Sequence, residues 1–300
     1  MSSRWIYQKR KLMSYGQPKM LISGGDGKFA TQIIESNRDL PADTKYQIFA
    51  PSKEEMDITD AKVVEEYVSS WKPDVFLHAA AYTRPMAKHY ENPDKSIQIN
   101  IIGTANIVLS CMRHNKLKAE NECSEHNDGM SGKYPGPKNI KFVYVSTDYV
   151  YPGTEGNYQE TSPLLPYSKD NVKDGCFKYG WSKLGGEAAA HIYDNSLILR
   201  ICMCNSPFPH DKALADVKKS LIYDKEAAKI TLQLLDKTGI INIGGEPQTI
   251  HEFAKKDNPG IEKMFIEGVK DVSMAPNITM NIDKLKNILG EDYVLQRSMD

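Results

Sequence analysis

The chain has no run of apolar residues long enough to cross a bilayer, so a membrane-spanning helix is not expected and no membrane partner is read from it. It has no excess charge of either sign. Thirty-eight Lys and Arg face 39 Asp and Glu, for a formal net charge of -1, which gives no basic surface of the kind a nucleic acid requires. Its five cysteines (111, 123, 176, 202 and 204) are odd in number, and no Cys-x-x-Cys pair occurs. That excludes a zinc site of paired cysteines, so no metal is expected, and it fits a reducing compartment such as the cytoplasm. Cys202 and Cys204 alternate as small residues on one strand. There is no acid before Asp26, although Arg4, Lys9, Arg10 and Lys11 precede it. No apolar core follows these cations, so the segment is not a secretory signal. Residues 1–18 read as a disordered N-terminal extension, with a transit peptide as the alternative. No internal repeat is present.

What the chain does contain is an alternation of apolar runs and helical patterns, the signature of βαβ units. Strands are expected at Met20-Leu21-Ile22, Tyr46–Phe49, Asp74–Leu77, Ile140–Val145, Ser196–Ile201 and Ile240–Ile243. Helices are expected at Lys28–Ser36, Ala61–Ser70, Asp94–His114, and around 181–193 and 224–236. The fold class is therefore α/β, a doubly wound parallel sheet of the Rossmann type with a small C-terminal substrate lobe. The dinucleotide-binding domain is placed at 19–205. It carries a polar surface insertion at 118–139, a stretch too long and too aperiodic for an ordinary connection. The smaller lobe takes 206–300, with 224–245 returning to the sheet.

The first strand runs into Ser23-Gly24-Gly25-Asp26-Gly27-Lys28-Phe29-Ala30. Gly24, Gly27 and Ala30 are spaced three apart between a strand and a helix. The first permits a tight turn, the second lets backbone approach a pyrophosphate, and the third packs helix on strand. The helix start then offers unpaired N–H groups to the phosphates. A dinucleotide site often has an acid at the end of its second strand to hold the ribose 2′-hydroxyl. This strand ends Phe49-Ala50-Pro51-Ser52-Lys53, where Ser52 and Lys53 could bind a 2′-phosphate instead. NADP(H) is thus the preferred cofactor, with NAD(H) the alternative. Asp57, followed by Ile58, is a candidate acceptor for the adenine amino group, and Thr59 or Asp60 a helix cap.

The fourth strand ends in Ser146-Thr147-Asp148-Tyr149, and Tyr179-Gly180-Trp181-Ser182-Lys183 follows on a helix. Tyr179 and Lys183 lie four apart and share one helical face. Hydride delivery to a ketone leaves an alkoxide that needs a proton. A tyrosine ordinarily titrates near ~10, and an ammonium one turn away is expected to bring it down toward ~7. A hydroxyl at the end of the fourth strand would polarise the carbonyl.

In this order of glycine loop, Ser-Thr strand end, and Tyr-x-x-x-Lys, the chain resembles the extended short-chain dehydrogenases. Within them it is most similar to the dTDP-4-dehydrorhamnose reductase group. The matching stretches are Gly24–Ala30, Asp57–Asp60, His78–Thr83, Asn100, Ser146–Tyr151, Tyr179–Lys183 and Met280–Leu285. The resemblance implies that Thr147 is the catalytic hydroxyl, Tyr179 the proton donor and Lys183 the ribose-binding lysine. Gly24, Gly27, Lys28, Phe29, Ala30, Ala79, Ala80 and Ala81 would line the cofactor, and Asn100 would support the site through backbone contacts. Tyr82, Thr83 and Arg84 would approach the sugar, with Asp148 and Tyr149 beside it. Arg84 is also a candidate on its charge alone, since a pyrophosphate needs a cation.

The implied activity is NADPH-dependent reduction of the C4 keto group of a nucleotide-linked 4-keto-6-deoxy sugar, dTDP- or UDP-4-dehydrorhamnose-like, in deoxysugar (rhamnose) biosynthesis by a homodimer. Two alternatives stand beside it. One is a bifunctional epimerase-reductase. The other is a non-catalytic NADP-binding regulatory subunit, like that of methionine adenosyltransferase. Related dehydratases carry Thr-Asp-Glu where this chain has Thr147-Asp148-Tyr149, and relatives that epimerise place a Cys there. An exposed Tyr149 with an ordinary pKa would be a poor base, so neither dehydration nor epimerisation is expected. The stretch Asn205–Lys219 is shorter than the family's sugar-binding segment.

Overall fold

The computed structural model describes residues 16–125, 139–167, 175–269 and 274–290. Six strands form the main sheet: β1 (Lys19–Ser23), β2 (Gln47–Phe49), β3 (Val75–His78), β4 (Lys141–Thr147), β5 (Ser196–Ile201) and β10 (Gly239–Ile243). Their order is β10-β5-β4-β3-β1-β2, and every neighbouring pair is parallel. The chain moves from β1 outward to β2 and then crosses back to β3 on the other side of β1. The crevice above the carboxyl ends of β1 and β3 is therefore the point where the winding reverses, the place where open α/β sheets bind ligands.

Successive residues of each strand supply opposite faces. Met20, Ile22, Leu77, Val143, Leu199 and Ile241 meet α1 (Lys28–Arg38) and α7 (Asp224–Gln233) in one buried cluster. Leu21, Phe76, Phe142, Tyr144 and Ile198 meet α2 (Ala61–Trp71), α5 (Thr104–Glu125) and α6 (Gly175–His191) in the other. Both faces are covered, which is why these strands read as near-continuous apolar runs. The doubly wound parallel fold expected from the sequence is the one observed.

Two helical expectations need correction. The helix expected at Asp94–His114 is a longer run in three parts: α4 (Pro93–Lys95), a π-helical stretch Ser96–Gly103, and α5. The wide turns carry Asn100 and leave Gly103 against Ile58, where a Cβ would stand 2.7 Å from the Ile58 side chain. The polar segment starting at Lys118 is also not irregular from its first residue. α5 continues through Glu125. Lys, Ala and Glu at 118–125 are strong helix formers, and Lys116 pairs with Glu120 at 3.9 Å, so the helix can continue without an apolar stripe. The remainder of the 118–139 insertion, 126–138, and residues 1–15 of the N-terminal extension lie outside the described residues.

The C-terminal part contributes β10 to the main sheet and packs α7 and α9 (Asp283–Leu289) beneath it. Around these lie short pairs: β6 (Met203–Cys204) with β9 (Ile222–Tyr223), β7 (Lys212–Leu214) with β12 (Glu262–Met264), and β8 (Lys218–Lys219) with β11 (Gln248–Thr249). α8 (Ile250–Ala254) starts with a complete capping box between Thr249 and Glu252. A separate cluster of Val150, Tyr151, Tyr158, Cys202, Leu221, Phe253 and Met280 ties the segment after β4 to this lobe. Among the described residues, no helix is long and apolar enough to cross a membrane.

Candidate active site

The glycine turn is shaped by contact. Gly24 sits at φ +75°, and a Cβ there would stand 2.8 Å from Ala80 Cα. Gly25 donates its N–H to Pro51 O at 3.0 Å, and a Cβ on it would lie 2.1 Å from Ala50 O. Both positions are closed to any larger residue, because the turn is wedged between the ends of β2 and β3. Gly27 caps α1 without a side-chain bond, and no acid lies in the first turn. The helix N-terminus thus presents open N–H groups beside Lys28, an arrangement suited to a pyrophosphate. Phe29, Ala30 and Ile58 are buried in the two core clusters and support the cleft from beneath. Ala79, Ala80 and Ala81 are half-buried along its wall.

At the end of β2 the structure modifies the sequence reading. Ser52 and Glu55 bond each other reciprocally: Ser52 N donates to Glu55 Oε2 at 2.7 Å, and Glu55 N donates to Ser52 Oγ at 3.2 Å. The strand tip is therefore not free of acid, since Glu55 folds back to it. Asp57 Oδ1 accepts from Thr59 N (2.9 Å) and Thr59 Oγ1 (2.8 Å). Burial pushes the Asp57 carboxyl up, but the Thr59 bonds and the Lys53 charge outweigh it and hold it below its ordinary value. One Asp57 oxygen is thus already engaged within its own turn. Asp60, not Thr59, caps α2 through Lys62 N and Val63 N.

At the carboxyl end of β4 the catalytic candidates converge. Thr147 Oγ1 lies 3.1 Å from Asp148 Oδ1 and accepts a bond from Tyr149 N. Tyr179, on α6, is buried, with its ring 5.9 Å from that of Tyr149 and 5.0 Å from that of His89. Lys183 is buried one turn along, with Nζ 4.2 Å above the Tyr144 ring. Burial is the main cause that holds the Tyr179 phenol above its ordinary value. Asp148 and Tyr149 add to it, against a Thr147 hydrogen bond and the Arg84 charge. The expectation that Lys183 brings Tyr179 toward neutrality is corrected here. Lys183 turns its ammonium to the Tyr144 face, and burial lowers its own pKa to about 7 against the pull of Glu187. Tyr149 is half-buried rather than exposed. Lys219 pulls its pKa down, but burial, Cys176 and Asp148 outweigh that and raise it to about 12.

Asn100, expected to support the site through backbone contacts, is joined there by residues that escaped the sequence reading. Asn100 Oδ1 accepts from Tyr82 N at 2.7 Å, and its Nδ2 donates to Tyr82 O and Ser182 Oγ. One side chain therefore joins the π stretch, the Tyr82–Arg84 loop and α6. His89 lies on α3 (Ala87–Glu91), with Nε2 2.8 Å from Thr83 O and Nδ1 2.8 Å from Ser96 Oγ. The carbonyl can only accept, so Nε2 carries the proton. Burial also keeps the ring neutral, against the Thr83 bond.

Beneath the site, Glu187 pairs with Arg200 through bonds of 2.7 and 3.1 Å, both side chains being almost fully buried. Ser146 Oγ donates to the same carboxylate at 2.5 Å. Arg200 also donates to Tyr151, whose hydroxyl donates to Asn242 Oδ1 at 2.7 Å. Glu187 continues the four-residue step from Tyr179 through Lys183, and that spacing was the signal available in the sequence. Lys219 Nζ lies 2.9 Å from Asp148 Oδ2 and 4.2 Å above the Tyr149 ring. Only the alternation of a Lys-Lys strand hinted that one of the two points inward.

The parallel sheet thus carries a glycine turn at its switch point, with Thr147, Tyr179 and Lys183 toward the end of its fourth strand. Residues 18–117 match the RmlD substrate binding domain family, and the chain is similar to dTDP-4-dehydrorhamnose reductases. The dTDP-4-dehydrorhamnose reductase of Aggregatibacter actinomycetemcomitans is 26% identical over 301 residues, covering 92% of this chain and 86% of that one. The methionine adenosyltransferase 2 subunit beta of Xenopus tropicalis is 25% identical over 228 residues, covering 75% of this chain and 57% of that one. In three dimensions, the dTDP-4-dehydrorhamnose reductase of Bacillus anthracis str. Ames, solved in complex with NADP, superposes with a TM-score of 0.71 at 20% identity. That match covers 91% of this chain and 93% of that one.

Proposed function

We propose that this protein reduces the C4 keto group of a nucleotide-linked 4-keto-6-deoxy sugar, of the dTDP- or UDP-4-dehydrorhamnose kind, with NADPH. The observation that carries the reading is the convergence of Thr147, Tyr179 and Lys183 beside a glycine turn closed to any side chain. Gly24, Gly27 and the start of α1 would hold the pyrophosphate, and Lys183 the nicotinamide ribose. NADPH bound there would supply the hydride. Thr147, whose hydroxyl donates to Asp148 Oδ1 in the structure, would turn that proton to the substrate carbonyl and orient it. Tyr179 gives its phenolic proton to the oxygen as negative charge develops on it. Burial favours the neutral phenol, so the proton is present on Tyr179 throughout the neutral range. Tyr82, Thr83, Arg84, Asp148 and Tyr149 surround the sugar in this reading.

The half-buried Tyr149, raised to about 12, is a poor base at neutral pH, which argues against the epimerase-reductase alternative. The likeness to a methionine adenosyltransferase beta subunit supports a second reading, a cofactor-binding regulatory subunit. The test is NADPH consumption with a 4-keto-6-deoxy nucleotide sugar. Turnover is expected. Tight NADPH binding without turnover on any such sugar would favour the regulatory subunit.

A further inference from the structure

The reduction uses Thr147, Tyr179 and Lys183, yet a second buried lysine reaches the same strand end from another part of the chain. Lys219 belongs to β8. Its neighbour Lys218 is exposed, while Lys219 itself is buried. The backbone around it is fixed from several sides. β8 pairs with β11, and Lys218 also bridges Asn277. Ser220 Oγ accepts from Met280 N at 3.1 Å, and Ile222 N bonds Cys202 O at 3.1 Å. A side chain delivered from such a segment is held in place rather than free to swing out to water.

The groups facing Lys219 are Asp148, Tyr149 and Cys202. Burial opposes its charge, but these groups, Asp148 foremost, more than restore it, so Lys219 is an ammonium across the whole physiological range. Asp148 has three partners, one of them the Cys202 thiol. Its Oδ2 meets Lys219, and its Oδ1 meets the Thr147 hydroxyl. Tyr179 is faced by Thr147, Asp148 and Tyr149 from the end of β4, by Arg84 from the exposed loop and by His89 from α3, with Lys183 one turn along its own helix. An unneutralised carboxylate at Asp148 would oppose the negative charge that Tyr179 acquires as its proton leaves.

We propose that Lys219 is a positioning residue of the catalytic centre: paired with Asp148, it cancels that carboxylate's charge and thereby sets how readily Tyr179 releases its proton. The proposal rests on the reductase reading for its consequence in turnover. Its electrostatic core concerns Tyr179 alone and is measured without turnover. A buried pair is suited to this role because its partners are scarcely screened by solvent, whereas Arg84, on an exposed loop, is.

The experiment follows the titration of Tyr179 by NMR of ring-labelled tyrosine, assigned by loss of the signal in Tyr179→Phe, together with the pH profile of carbonyl reduction. Lys219→Met removes the charge at similar length. It is expected to move the Tyr179 titration and the alkaline limb of kcat upward by about one pH unit, a tenfold change in proton affinity. Lys219→Arg is expected to bring both back, and so is the double variant Asp148→Asn with Lys219→Met, in which neither charge remains. A merely structural lysine would lower stability and leave the titration where it was. Superimposable titrations for wild type and Lys219→Met, or no return in Lys219→Arg, overturn the proposal. Should Lys219→Met not fold, Asp148→Asn alone must move the titration downward, and an unmoved titration overturns the proposal equally. If wild type turns over no 4-keto-6-deoxy nucleotide sugar, the reductase reading fails, while the NMR titration still decides the role of Lys219.

Discussion

At the residue scale, Tyr179 and Lys183 differ in their surroundings, and so in what each is expected to do. Tyr179→Phe keeps the ring and its packing against His89 and Tyr149 and removes only the proton. Turnover of a 4-keto-6-deoxy nucleotide sugar is expected to fall by at least about a hundredfold, the scale of general acid catalysis, while NADPH still binds. Fluorescence titration of NADPH beside steady-state assays measures both, and near-normal turnover would remove Tyr179 from the mechanism. Lys183 makes a different prediction. Its pKa falls from the ordinary 10.5 to about 7 in the folded chain, so the unfolded chain binds more protons between those values. In that window stability rises with pH, and below about 7 the full cost of holding a buried ammonium is present. Lys183→Met is therefore expected to raise Tm at pH 6 by several degrees in protein without added cofactor, while abolishing reduction. A lowered Tm would show that the stacking of Nζ on Tyr144 outweighs burial.

At the element scale, the glycine turn and the π stretch are the two devices that place the chemistry. Gly25→Ala forces a methyl toward the Ala50 carbonyl, where the built Cβ lies at 2.1 Å. The end of β2 must move, and a loss of NADPH affinity of at least about tenfold is expected, at a cost on the order of 1–3 kcal/mol. Isothermal titration against wild type checks it. Asn100→Ala breaks the bonds to Tyr82 and Ser182 without touching the cofactor turn. Its expected signature is a raised KM for the sugar, with NADPH binding retained.

These two elements also show where the sequence was legible. The turn was readable because Gly24, Gly27 and Ala30 must fall at fixed steps between a strand and a helix, a local requirement. The π stretch was not, because Ser96–Gly103 reads as ordinary helix and its wide turns answer to Ile58 and Tyr82, far away in sequence. The six strands were legible for the same local reason as the turn, as apolar runs between helical patterns. Lys219, His89 and Arg200 were not, since each acts through a partner that only the fold brings near. The acid at the end of β2 was missed in the same way. Glu55 lies three residues past Ser52, and its backward turn is a conformational fact rather than a compositional one.

At the scale of the whole molecule, cofactor choice and stability both depend on parts meeting across the sheet. Lys53 near the β2 tip would favour a 2′-phosphate, whereas Glu55 bonded to Ser52 would oppose one, so the preference for NADPH over NADH is expected to be modest. Lys53→Glu should reverse it, and Glu55→Gln should sharpen it; equal affinities for both cofactors in all three proteins would remove this strand end from the choice. The Glu187–Arg200 pair is buried from solvent on both sides. Glu187→Gln leaves the guanidinium without its counter-charge, and the expected loss is about 3–5 kcal/mol, read as a drop in Tm or urea midpoint.

The same chain of bonds has a bearing on heat. Ser146 adjoins Thr147, Glu187 lies one turn from Lys183, Arg200 is on β5 and Asn242 is on the edge strand β10. The groups that would reduce the substrate are thus fastened to the sheet by the contacts that hold three of its strands and α6 together. In many enzymes the active centre softens before the scaffold melts, and activity is lost some degrees below unfolding. Here no such interval is available: on slow heating, the decay of reductase activity should track the loss of sheet structure by circular dichroism.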